Sequence, residues 1–418
     1  MLRGMRRRAL LSAGAAVTLG LLPALLPATA AVADSVSDQQ QWVFQMMNVQ
    51  DAWNTTRGSG VIVAVLDSGV DGNVSDLSGN VIDGNGSDAI DYTGLSTSPD
   101  SPDWGEHGTW MASIIAGHGH DNGADGITGV APEAKILSIR VIPDMQDPGY
   151  STYDNEHEAK IQRELAEGIR TAVKDHAKVI SMSIGYSAPS AEVRNAIQFA
   201  YSSGVVLVAS SGNSGDNDTQ HSRTHTLAPV SFPAEYPGVI SVGAVTSEGV
   251  PTSFSSGNLS VKVAAPGKKV PAQGRSGQYY TVDGTSPACA LVAGVAALIK
   301  AAYPTISPAL LTDALTSTAK HPAGGYDVLT GFGIVNAGDA LTRAGQLMKE
   351  HPEKSQVPLT AHFGGGTAAQ PAAPVGPRGA GGLIGYLVLL AVSGVAVLCG
   401  GVVLLLSRRA RAMTGLQQ

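Results

Sequence analysis

Apolar residues fall into two patterns along this chain: short unbroken runs rich in β-branched residues, and longer stretches that repeat every three to four positions. The run Val61-Ile62-Val63-Ala64-Val65-Leu66 follows the turn Gly58-Ser59-Gly60 and is closed by Asp67. An unbroken run of this kind reads as a strand buried on both faces of a parallel sheet. Similar runs occupy 134–142, 179–185, 205–209 and 239–245. Between them, 158–174 carries Ile161, Leu165, Ile169 and Val173 on one helical face, and 191–202 reads as a further helix. The alternation predicts an α/β fold, a doubly wound, mostly parallel sheet with helices on both faces, with ligands beyond the strand ends.

Two regions interrupt the alternation. Residues 71–103, rich in Gly, Asn, Ser and Asp, read as a long surface excursion with one short strand. Residues 34–54 have a polar start and scattered apolar anchors, among them Trp42, Phe44, Met47 and Trp53. They are expected to drape over the body, and are too short to form a separate inhibitory domain. Further on, 252–281 reads as short strands and loops. Gly284-Thr285-Ser286 is then a tight turn running into an apolar helix through Ile299, rich in small residues. Such a turn points the Ser286 hydroxyl out of a buried scaffold, with the N–H groups and positive dipole end of the helix beneath it. Helices are also expected over 307–318 and 331–349.

The two ends are patterned differently. Arg3, Arg6, Arg7 and Arg8 precede an apolar run over 9–26 and small residues over 28–33, which reads as a secretory signal peptide cleaved before Asp34. Arg7-Arg8 also fits a twin-arginine pattern, so the export route stays open between the two systems. Residues 383–406 form an uncharged apolar run long enough to span a bilayer as a helix, and Arg408, Arg409 and Arg411 behind it hold the tail inside. The expected organisation is a signal peptide at 1–33, an N-terminal extension at 34–57, a body at 58–349, a Pro/Gly/Ala-rich linker at 350–382, a transmembrane helix at 383–406 and a cytoplasmic tail at 407–418. The body would then stand on the extracytoplasmic side of the cell membrane.

Composition removes some classes of partner. With 15% charged residues and a net charge of -7 over 418 residues, no basic face offers itself to nucleic acid. Cys289 and Cys399 lie in an apolar helix and in the hydrophobic tail, which argues against a mutual disulfide and leaves the fold resting on its core. Candidate chemistry sits at the ends of elements. Asp67 either lines a ligand crevice or opens an ordinary turn. His107, at the mouth of an apolar helix, is either a general base or a structural histidine. Asn213, past a strand end in Ser210-Ser211-Gly212-Asn213, either aims its amide at a developing negative charge or caps a turn. His118 and His120 lack metal-ligand spacing and read as part of a solvated glycine-rich loop.

The order Asp67, His107, Ser286 gives these residues a common meaning, since it is the chain order of one known catalytic triad. Val65-Leu66-Asp67-Ser68-Gly69-Val70, His107-Gly108-Thr109, Gly129-Val130-Ala131-Pro132, Ser210-Ser211-Gly212-Asn213 and Gly284-Thr285-Ser286-Pro287-Ala288 resemble the subtilisin-like serine proteases, peptidase family S8, over about 58–342. The resemblance implies Ser286 as nucleophile, His107 as general base and Asp67 as its orienting carboxylate, with Asn213 and the Ser286 N–H as the oxyanion hole. It implies Ser183-Ile184-Gly185 as the edge against which an extended protein or peptide substrate pairs, with Ser210, Ser211 and Gly212 beside it. No cofactor is expected; calcium, common in the family, has no carboxylate pattern here that places it. The chain departs from the family at Glu106, Trp110, Ser113, Pro287 and Ala290, none of them a triad position. Its layout resembles the mycosins, membrane-anchored proteases associated with type VII secretion in actinobacteria, although their usual disulfide cysteines are missing. That likeness implies secretion-complex partners, and an alternative role as a docking component in which proteolysis is secondary.

Overall fold

The computed structural model describes residues 35–82, 90–91, 93, 104–120, 125–144, 147–148, 150, 158–215 and 227–351. The expected signal peptide, transmembrane helix and tail, and the linker from 352 onward, lie outside them. In chain order, α1 (Val36–Met47) and α2 (Val49–Trp53) lead into β1 (Ile62–Asp67), β2 (Val81–Ile82), β3 (Ile90–Asp91), α3 (Glu106–Ala116), β4 (His118–His120), β5 (Asp125–Thr128) and β6 (Lys135–Arg140). Next come α4 (Glu158–Lys174), β7 (Val179–Met182), α5 (Ala191–Ser202), β8 (Val206–Ser210), β9 (Val239–Val245) and β10 (Val261–Pro266). β11 (Val270–Gln273), β12 (Tyr279–Val282), α6 (Thr285–Ala302), α7 (Pro308–Ser317) and α8 (Ala337–Glu350) follow.

The main sheet runs β10-β9-β8-β7-β1-β6-β2, with β3 also paired to β6. Its described pairings are parallel throughout. Successive side chains on a strand point to opposite faces, and β1 shows the result. Val63 and Val65 join the core built with α3 and α6, whereas Ala64 and Leu66 join the core built with α4 and α5. Asp67 has the parity of Val63 and Val65. It therefore faces the layer that holds α3 and α6, the helices whose second residues are His107 and Ser286. α6 is the one described helix long and apolar enough to cross a membrane, but it is buried along almost its whole length and serves as the central core helix.

Several sequence expectations change. Within the expected drape, Val36–Met47 and Val49–Trp53 form two core-packed helices: Val43, Phe44, Met47, Val49 and Ala52 are buried. Ser35 caps α1 through its side chain, and Asn48, at φ 51°, turns the chain into α2. The excursion after β1 contributes two short strands, not one. The third run ends as a strand at Met182 instead of continuing to Gly185. The last helix starts at Ala337, because Gly331 and Gly333 take positive φ and the stretch around them bridges to Asp327, Lys320 and Ala264. His118 and His120 are not in a solvated loop: they form β4, paired antiparallel with β5, and His120 Nδ1 lies 2.8 Å from Oδ1 of the buried Asp76.

Candidate active site

β1 delivers Asp67, fully buried, to the C-terminal edge of the sheet. Its Oδ1 accepts the Ser68 N–H at 2.7 Å and lies 2.7 Å from Nδ1 of His107. A carboxylate can only accept, so Nδ1 carries the ring proton and Nε2 is left with its lone pair. His107 is the second residue of α3, and its side chain keeps 31% of its surface exposed. The start of α3 is held by loops from two strands. The Asp144 carboxylate accepts the His107 N–H at 2.9 Å and the Ser68 hydroxyl at 3.1 Å, and the Ser68 oxygen accepts the Gly108 N–H at 3.1 Å. Gly108 must be glycine, because a Cβ there would collide with the carbonyl of Gly69.

Burial alone depresses the pKa of His107. The Asp67 carboxylate, through its charge and its hydrogen bond, and then the charge of Asp144 outweigh burial, so the value stands above the ordinary 6.5. Asp144 and Ser68 were not singled out from the sequence. The available signal was that Asp144 follows a strand end, the same feature that marked Asp67.

Ser286 is the second residue of α6, behind Gly284, whose φ of 147° suits glycine. At that position the helix offers its N–H no acceptor of its own. Pro287 stands third, where a missing N–H costs the helix nothing. The Ser286 carbonyl accepts the Ser183 hydroxyl at 3.2 Å, tying the first turn of α6 to the end of β7. Asn213 is fixed from the other side: its Oδ1 accepts both the N–H and the hydroxyl of Thr285, each at 2.9 Å. With its oxygen so engaged, the amide keeps its Nδ2 donor for the cleft.

Two clefts meet at Ser286. One, of about 360 Å³, is lined by Asn213, Ser210, Gly212 and the segment Ser183-Ile184-Gly185, among others. The second, of about 210 Å³, is lined by His107, Trp110, Met111, Tyr280 and Pro287, among others. All the candidate positions but one therefore stand together, Asp67 behind His107 and the rest along the clefts. The exception is Ser211, which is buried beneath the loop with its N–H bonded to the Val242 carbonyl at 3.0 Å. Among the described residues no group of three or more His, Cys, Asp or Glu side chains forms a metal cluster. Outside the site, the fully buried Asp76 takes the Ile127 N–H at 2.6 Å and the Tyr279 hydroxyl at 3.1 Å beside its contact with His120.

Comparison with known proteins gives a consistent picture. The family model described as the subtilase family matches residues 58–340. Mycosin-1 of Mycobacterium tuberculosis is 34% identical over 335 residues, spanning 72% of this chain and 73% of that protein. Subtilisin E of Bacillus subtilis is 34% identical over 279 residues, spanning 67% of this chain and 65% of that one, just under two thirds of its length. Among solved structures, the serine protease MycP1, described as an essential component of the type VII (ESX-1) secretion system, aligns with a TM-score of 0.59 and 30% identity, covering 72% of this chain and 88% of that one.

Proposed function

Because this chain belongs to the subtilase family, we propose that it is a serine endopeptidase that cleaves protein or peptide substrates through an acyl-enzyme, with Asp67, His107 and Ser286 as its triad. The observation that carries this reading is the 2.7 Å contact between Asp67 and His107 at the mouth of a cleft that Ser286 shares. An extended substrate pairs with Ser183-Ile184-Gly185 and brings its scissile carbonyl over Ser286. His107 Nε2 takes the hydroxyl proton as Oγ attacks, and Asp67 holds the tautomer and stabilises the imidazolium. The oxyanion accepts hydrogen bonds from Asn213 Nδ2 and the Ser286 N–H. Collapse expels the amine with the proton from His107, and water repeats the sequence to release the acyl group.

The sequence further supports export and anchoring, with the protease on the extracytoplasmic side of the cell membrane and a C-terminal helix over 383–406. The likeness to MycP1 supports work on proteins handled by a type VII secretion system. The description of MycP1 as an essential component of that system also favours a second reading, in which the body docks into a secretion assembly and cleavage is secondary. The test is labelling of the full-length chain by a fluorophosphonate probe, beside Ser286→Ala and His107→Ala. Labelling confined to the unmutated chain is the expected result. Absence of labelling in folded protein would sink the endopeptidase reading, and secretion supported by Ser286→Ala would favour docking.

A further inference from the structure

The two clefts share only Ser286 among their lining residues, and this separation sorts the two halves of a substrate. The acyl half belongs with Asn213 and Ser183-Ile184-Gly185. The smaller cleft holds His107, which must protonate the departing amine, so the residue after the scissile bond belongs there. Its walls are built for one kind of side chain. Trp110, one turn beyond His107 on α3, meets the His107 ring edge-on at 6.0 Å, and the Tyr280 ring lies 5.3 Å from the Trp110 ring. Met111, Val282 and Pro287 add apolar surface. The carboxylate at the rim, Asp283, is engaged by Lys268 Nζ at 2.6 Å and the Lys269 N–H at 2.7 Å.

The aromatic pair is locked from behind. Glu106 accepts the Arg275 N–H at 2.9 Å and so pins the β11–β12 turn against α3. A Cβ at Gly274 would lie 2.5 Å from the Glu106 carboxylate, 2.5 Å from the Tyr280 ring and 2.7 Å from Trp110 Nε1. Glu106 and Trp110, two of the chain's departures from the family pattern, are therefore parts of one wall.

We propose that Trp110 and Tyr280 are specificity-determining residues, making this protein cleave in front of bulky apolar residues. The inference rests on the endopeptidase reading, and acyl transfer tests it separately. Full-length protein is given a peptide ester together with one amino-acid amide at a time. The amine nitrogen attacks the acyl carbon, the bond from that carbon to Ser286 Oγ breaks, and the amine's proton passes through His107 to Ser286. The yield of each transfer product relative to glycinamide reports the cleft alone, because it cancels changes in overall turnover. Leucinamide and phenylalaninamide are expected to outrun glycinamide, aspartamide and lysinamide about 10-fold or more. Trp110→Ala and Gly274→Ala should reduce that ratio toward one, and Trp110→Phe should keep most of it. Ester turnover with no discrimination among amines would overturn the specificity and leave the protease. So would a ratio that survives Trp110→Ala. Failure to turn over the ester would overturn both.

Discussion

His107 is pulled in two directions, down by its burial and up by Asp67 and Asp144, and the charges win. A general base works only when neutral, so in the proposed mechanism the raised pKa of His107 moves activity toward higher pH. The acid limb of kcat/KM should therefore inflect above 6.5 in a pH–rate profile of the free enzyme. Asp144→Asn removes one of the two charges that raise the value while retaining an oxygen for the His107 N–H, so that limb should move to lower pH. An unmoved limb would remove Asp144 from the electrostatics of the site. In the proposed mechanism Asn213 acts on the opposite charge, the developing oxyanion. Asn213→Ala should leave the fold intact and lower kcat by about 10²–10³, the size known for loss of one oxyanion donor in a subtilisin. Unchanged turnover would exclude its amide from the mechanism.

Elements buried on both sides announced themselves in the sequence, because apolar side chains dominate there, with single buried polar residues such as Ser181 and Ser241 between them; β1, β7, β8 and β9 are of this kind. α4 and α5 were legible for the complementary reason, a stripe facing one core. α1 was not legible as a helix. Its contacts come from Val43, Phe44 and Met47 together with a buried glutamine, Gln40, whose amide exchanges hydrogen bonds with the Thr128 backbone at 2.7 and 3.0 Å. Apolarity alone cannot reveal a polar residue that earns its burial through backbone partners. The same blindness hid Asp144, which acts through an N–H and a hydroxyl supplied by segments far away in sequence. Because α1 is part of the main core, Phe44→Ala should destabilise the whole body by about 3–5 kcal/mol. Chemical denaturation with a single transition at lower midpoint is the expected result; local fraying with an unmoved midpoint would make α1 an appendage. Arg140 offers a second test. It is fully buried with guanidinium contacts to Asp91 at 2.8 Å and Asp147 at 2.5 Å, so Arg140→Met takes the countercharge from a buried carboxylate and should cost about 3–5 kcal/mol.

At the scale of the molecule, the residues proposed as the triad were legible as a set although each was ambiguous alone, because chain order and strand ends constrain them jointly. The aromatic wall was legible only as two unexplained departures, since its meaning depends on the β11–β12 hairpin folding back onto α3. If the chain is anchored as proposed, it should sediment with membranes in cells, and deletion of 383–406 should release it in labelled, active form; soluble full-length protein would contradict the anchor. One consequence reaches into how such a chain can evolve. Asp67 stands on the α3 and α6 side only because an even number of steps separates it from Val65 and Val63. Losing or gaining one residue within β1 would exchange the Val63 and Val65 set for the Ala64 and Leu66 set between the two cores and turn the carboxylate away from His107. A change of one in the length of β1 should thus keep apolar side chains on both faces of the sheet and yet remove the carboxylate on which the proposed cut depends.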